Sequence, residues 1–511
     1  MNSAFLIPIL FLLAICLRLI PLWVWKLDPS DAWSHIFDAK QIQKNGGLPD
    51  KIKNFYPEPE FTYPWAISWF IYKFCPKDPL RFGIKLNILF SLLEMGIAGG
   101  IAGALAGPGA AAAALAIYVA NPLAFSPWAG LYGVNARVFG ALLCNASVVS
   151  MVFAESLHVP LLFAVPILLT PLVVLSSQFG VQSLLVAGFS ISIYYQSMVP
   201  LGSILMGAVV AIVVTRGKAF AIMKGHFWHV TFYGIFLQFH SVATVFRNHG
   251  VFRWILKMFR ERQGIESILW VPLVRVFVWN PWLIFLFFLI QDSFVFSMVN
   301  KGLLMIIFTS LVIIPIITMR GMRFLGEADR YFTFISTVPL VVLVAIHSEN
   351  ASILYWTGYG LLLTIGAVTS AFMILKRSKI KHQESEEPEI ETAAVLEKLV
   401  SEDPGRVLVI PQNRSDKLAC FCNCEFVGIH TNVTWDRSKW PVYFSIFQKF
   451  YPYPISSIDH LKKAFGVKYI VVAKRFLVPS YLSRHHLTEE VVWRPDVKPE
   501  MESDNYSIHV I

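Results

Sequence analysis

The stretch WKLDPSDAWSH (residues 25–35) sets Asp28, Asp31 and His35 directly after the first apolar run of the chain. A helix begun at Pro29–Ser30 would put Asp31 and His35 four residues apart on one face. Carboxylates at such a boundary have three uses. They ligate a divalent cation such as Mg or Mn through oxygen, they take a proton from an acceptor hydroxyl as a general base, or they cap a helix and do no chemistry. A second group lies in GEADRYFTFISTVPL (326–340), where Glu327, Asp329 and Arg330 immediately precede an apolar segment and Arg320 and Arg323 share the loop before it. A guanidinium pairs bidentately with phosphate oxygens, best beside a low-dielectric boundary. The same residues also fit a snorkelling arginine with local acidic partners. A third stretch, SPWAGLYGVNARVFGALL (126–143), brings small residues and Arg137 to a helix entrance, as a loop lining a cavity would.

Other polar groups carry less chemistry. Glu94 and Glu155 lie in or at the end of apolar runs, where ionisable groups are costly and often functional; helix-end or interhelical pairing explains them equally well. Glu58 and Glu60 in YPEPEF would supplement the acidic site. Cys420, Cys422 and Cys424 in CFCNC are too close together for an ordinary disulfide framework, and no His/Cys pair stands at zinc spacing, so no structural metal is expected there.

The elements that must position these residues follow from composition. Of the 511 residues, 56% are hydrophobic and only 15% charged, whereas soluble domains run nearer a quarter charged. A polytopic, all-α membrane body is the class this predicts. Runs at 4–24, 86–105, 110–127, 137–155, 159–176, 180–197, 199–215, 281–298, 302–319, 331–347 and 352–375 each approach the roughly 20 apolar residues that cross a bilayer. The segments 226–246 and 268–279 are borderline, so the body is expected to hold about 11–13 transmembrane helices. The first run is longer than a signal-peptide core and reads as a retained helix. Residues 25–85 form a first external loop with short helices along the membrane surface, and 1–375 form the membrane domain. The charged stretch KRSKIKHQESEEPEIET marks a linker over 376–391, and 392–511 reads as a small soluble α/β domain with strands at GRVLVIP and VKYIVVAK. The net charge of +10 fits loops that meet lipid headgroups and anionic lipid substrates, with no nucleic acid as partner.

After DAWSH come an amphipathic segment, the break GGLP, and the aromatic–proline stretch FTYPW that contains Tyr63. This order resembles the first external loop of the GT-C superfamily of membrane glycosyltransferases, and most of all the branch holding the oligosaccharyltransferase catalytic subunits. There a first transmembrane helix delivers an essential acid, followed by nGlP and YP elements; DAWSH looks like the family's DaxxH and Asp31 matches its acid. The segment 326–340 resembles the ERY/ERF segments in which an arginine meets the donor's lipid phosphate. The resemblance thus implies Asp31 as base with Asp28 and His35 as helpers, and Asp31 and Asp28 as the metal ligands if a metal is used. It implies Arg330, with Arg323 behind it, as the phosphate site, alongside Glu327, Asp329, Arg137 and Tyr63. The donor would be a sugar on a polyprenyl phosphate, the acceptor a glycan, lipid or protein on the external or lumenal face, in a plasma or endoplasmic reticulum membrane. The terminal domain would face the same side, although the Lys/Arg distribution favours the opposite orientation. Two departures are clear. No acid occurs between Pro122 and Phe153, and the WWDYG acceptor motif is absent, VTWDRSKW (433–440) holding only a lone Trp-Asp. They favour a relative that transfers a single sugar and leave the metal open. A transporter or flippase of a lipid-linked sugar, or a non-catalytic membrane scaffold, would share the same hydropathy.

Overall fold

The computed structural model describes residues 3–24, 32–122, 131–235, 271–286, 297–319, 322, 325–347, 353–378, 387–428, 436–447, 453–454, 457–477 and 498–511. The chain divides into two compact units, one of residues 1–29, 78–220 and 247–383, the other of 30–77, 221–246 and 384–511.

Helix α1 (Ser3–Val24) opens the first unit, α2 (Ala32–Lys44) and α3 (Ala66–Phe74) belong to the second, and the chain returns to the first at α4 (Pro79–Ala120). As one straight rod, the 42 residues of α4 would reach about 63 Å, twice a bilayer core. The helix is broken at Ala106 and Gly107, where Gly107 takes φ 87° and Pro108 follows. A Cβ on Gly99 would lie 2.8 Å from Leu115 Cδ2, and one on Gly103 3.1 Å from Ala111 Cβ. Residues 16 apart on a straight helix are about 24 Å apart, so α4 doubles back into two packed arms. That is why 86–105 and 110–127 read as separate spans.

The body continues through α5 (Arg137–Leu157), α6 (Ala164–Ser176), α7 (Gln178–Tyr195) and α8 (Val199–Val214). Helix α9 (Lys218–Ile235) leads into the second unit, and α10 (Pro272–Trp279) is too short to span. Then come α11 (Met298–Thr318), the pair α12 (Asp329–Ile335) and α13 (Thr337–His347) bent by 60°, and α14 (Ile353–Ser378). Among the described residues, five helices are long and apolar enough to cross a membrane, and six if the bent pair is one span. The apolar runs lie on helical structure over nearly all of their described length. The all-α membrane body expected from composition is the body observed.

The second unit holds one six-stranded sheet. Helix α15 (Glu387–Glu402) precedes it, and the strands are β1 (Phe55–Tyr56), β2 (Arg406–Ile410), β3 (Phe426–Val427), β4 (Val467–Ala473), β5 (Met501–Glu502) and β6 (Tyr506–Val510), in the order β1-β3-β2-β4-β6-β5. The first four are parallel and the last two antiparallel. GRVLVIP and VKYIVVAK are thus β2 and β4, paired from Arg406↔Val467 to Ile410↔Val472. Strand β1 comes from the first loop, pairing Phe55 with Phe426 and Tyr56 with Val427. That loop therefore supplies an edge strand of the terminal sheet as well as helices. Between β2 and β3 lies α16 (Ser415–Ala419), and before β4 lie α17 (Trp440–Phe447) and α18 (Ile458–Phe465). From the borderline 226–246 segment, Phe232 of α9 is fully buried with its ring 5.2 Å from Trp440 and 5.1 Å from Tyr443. Trp228 and Phe232 thus pack on this unit's aromatic core, and 236–246 lie outside the described residues.

Candidate functional site

In the first unit a cavity of about 60 Å³ is walled by Arg18, Glu94, Tyr118, Arg137, Arg330 and Thr333 among others. Arg137 opens α5, its backbone N–H held by the Asn135 side chain at 3.0 Å. Arg330 lies in the first turn of α12, buried, and donates from Nε to Glu327 Oε2 at 2.7 Å. Asp329 pairs with Arg275 of α10, whose side chain is fully enclosed. Glu327 and Asp329 therefore stand behind the cavity wall, each engaged by an arginine. Burial works to raise the Glu327 carboxyl, but Arg330, Arg137 and Arg275 outweigh it and hold the group at about 2. At neutral pH it is a carboxylate steering Arg330.

Of the other lining residues, the sequence singles out Glu94 but not Arg18. Arg18 lies inside α1 with no exposure, and its three guanidinium nitrogens donate to Ser91 Oγ (3.2 Å), the Ala14 carbonyl (3.4 Å) and the Tyr118 carbonyl (3.2 Å). It ties α1 to both arms of α4. Glu94 Oε1 accepts from Asn145 Nδ2 at 2.8 Å, and Asn145 also donates to the Ala141 and Thr333 carbonyls while its Oδ1 accepts from Val338 N–H. One asparagine thus binds α4, α5 and the α12–α13 bend. The signal that could have found Arg18 is a lone arginine within an otherwise apolar span, which is expensive and rarely idle.

In the second unit, His35 is buried in α2, with Nδ1 3.3 Å from Ser68 Oγ on α3 and its ring 5.6 Å from that of Tyr63. Glu58 and Glu60 are exposed. Asp28, Asp31, Arg320 and Arg323 lie outside the described residues. Mg or Mn ligation rests on the first two; among the described residues no cluster of three His, Cys, Asp or Glu is arranged to hold an ion. The structure brings Arg137 and Arg330 together at one cavity, with Glu327 and Asp329 behind, and brings His35 beside Tyr63.

No family model and no curated protein sequence matches the chain. Solved structures do. ArnT from Cupriavidus metallidurans bound to undecaprenyl phosphate matches with a TM-score of 0.58 at 12% identity, over 100% of this chain and 98% of that one. The archaeal oligosaccharyltransferase AglB from Archaeoglobus fulgidus, in complex with an inhibitory peptide and a dolichol-phosphate, matches at 0.55 and 11% identity, over 94% and 70%. The mycobacterial arabinofuranosyltransferase AftD matches at 0.55 and 10% identity, over 100% of this chain and 42% of its own. At such identities the likeness is one of fold. The fold of this chain is that of the GT-C membrane glycosyltransferases, distantly similar to the oligosaccharyltransferase branch.

Proposed function

We propose that the protein is an integral membrane glycosyltransferase. It takes a sugar from a polyprenyl-phosphate-linked donor and passes it to a glycan, lipid or protein acceptor on the external or lumenal face of a plasma or endoplasmic reticulum membrane. The observation that carries the reading is the cavity in the apolar body with Arg137 and Arg330 in its wall. Guanidinium groups in low dielectric attract phosphate strongly. A lipid phosphate is a good leaving group, so the protein needs only to activate the acceptor and stabilise charge developing on the phosphate.

In this mechanism Arg330 and Arg137 hold the donor phosphate, and Glu327 fixes Arg330 by its Nε edge. Asp31 takes the proton of the acceptor hydroxyl as its oxygen attacks the anomeric carbon. The bond from that carbon to the phosphate oxygen breaks, and polyprenyl phosphate leaves with the electron pair. Asp28 and His35 support Asp31. The terminal domain serves acceptor access.

The test uses purified protein, a radiolabelled polyprenyl-phosphate sugar and membrane extract, scored for a new glycosylated product with and without chelator. Asp31→Asn should abolish transfer with expression and donor binding intact, and Arg330→Met should lose donor binding. A transporter of lipid-linked sugars would need the arginines but not Asp31, and a scaffold would need neither. Transfer retained by Asp31→Asn overturns the assignment.

A further inference from the structure

The cavity lining holds two chemically different groups. Arg137 and Arg330 offer positive charge, whereas Tyr118 and Glu94 offer a phenol and a carboxyl group. The Tyr118 hydroxyl is buried and makes no hydrogen bond among the described residues. Buried polar atoms without partners are rare, and each calls for an explanation. Glu94 has its Oε1 occupied by Asn145, while Oε2 makes no hydrogen bond among the described residues. Phenol and carboxyl lie within each other's electrostatic reach. Arg18 beside them is spent on three neutral acceptors and serves as a strap holding the wall in place.

A phosphate oxygen only accepts hydrogen bonds, and Arg137 and Arg330 already supply donors for it. A hydroxyl both accepts and donates, so it can take a bond from the phenol and give one to the open carboxyl oxygen, matching both groups at once. We infer that Tyr118 and Glu94 form a hydroxyl-reading seat for the sugar of the lipid-linked donor, beside the phosphate held by Arg137 and Arg330. This rests on the reading of the cavity as the donor site. It implies that the lining selects a hydroxylated ring next to the phosphate.

The experiment compares two lipids of the same chain length, a polyprenyl phosphate without sugar and a polyprenyl phosphohexose, binding to the full-length protein in lipid nanodiscs. Tyr118→Phe removes one oxygen and should weaken the phosphohexose about tenfold, the effect of one buried hydrogen bond, while leaving the sugar-free lipid unchanged. Glu94→Gln should move the same ratio in the same direction. Unchanged affinity for the sugar-free lipid also shows that the variants are folded. Equal loss for both lipids, or no loss for either, overturns the seat while an Arg330→Met loss of both keeps the phosphate site. If Arg330→Met leaves both lipids bound as tightly as before, the donor-site reading fails and the seat with it.

Discussion

Glu327→Gln tests the electrostatics of the site by itself. The carboxyl is held at about 2 against an ordinary value of 4.5, because three guanidinium groups outweigh the cost of burying it. At 1.36 kcal/mol per unit, that difference corresponds to about 3 kcal/mol of folding stability, within the range seen when one partner of a buried ion pair is removed. The native group is ionised at a pH where the unfolded chain has already bound a proton. Its contribution is therefore complete above about 4.5 and is lost as pH falls from there toward 2. Glutamine keeps the shape and an oxygen facing Arg330 Nε but removes the charge. Thermal unfolding of the purified protein should show Tm lowered by about 3 °C at pH 7 in the variant. The gap to wild type should narrow steadily between pH 4.5 and 3. A variant with wild-type Tm at pH 7, or a gap that stays constant down to pH 3, would refute the claim that Glu327 is a carboxylate held by the arginine cluster.

Asn145→Ala strips the partner from Glu94 Oε1 and from the Val338 N–H at the α12–α13 bend. It should cost about 2 kcal/mol or more, read as a lower Tm, and an unchanged Tm would remove Asn145 from the framework of the cavity. Gly99→Ala puts a Cβ against Leu115 across the α4 hairpin and should cost about 1–3 kcal/mol, whereas the Cβ of Gly100→Ala meets nothing within 4 Å and should cost markedly less. Equal effects at the two glycines would contradict the doubled-back α4.

The body and the sheet were legible because each is written in a local period. VLVI and YIVV are short β-branched runs bounded by turns, and the spans are long apolar runs broken by Gly107–Pro108 and similar punctuation. Strand β1 was not legible. Phe55–Tyr56 is two residues long, too short to show alternation, and its partner Phe426 lies 371 positions away. The burial of Phe232 against Trp440 and Tyr443 was hidden for the same reason: an aromatic-rich helix reads alike whether it faces lipid or a folded domain. The arginine before the bent pair was legible, since Arg330 sits at a helix start beside acids. Arg18, Asn145 and Arg275 were not, because each is a single polar residue in an apolar run and acquires a role only when folding supplies its partners.

Those partners decide which charges serve the ligand. In sequence, Glu327 and Asp329 flank Arg330 closely enough for both to bond it, and a guanidinium gripped by two carboxylates would have little charge to offer a phosphate. Folding separates them. Asp329 pairs with Arg275 on α10, which is enclosed and does not figure in the cavity wall, while Glu327 bonds Arg330 at Nε. On the proposed reading, Arg275 thus draws off a carboxylate that would otherwise compete with the donor phosphate. An arginine facing an acid in the interior needs no opening to solvent, whereas one facing a ligand must border a cavity. Arg330 and Arg275 fall on opposite sides of that distinction although neither is exposed. Their burial therefore says nothing about which of them binds substrate; the identity of the neighbouring acid and the presence of the cavity do.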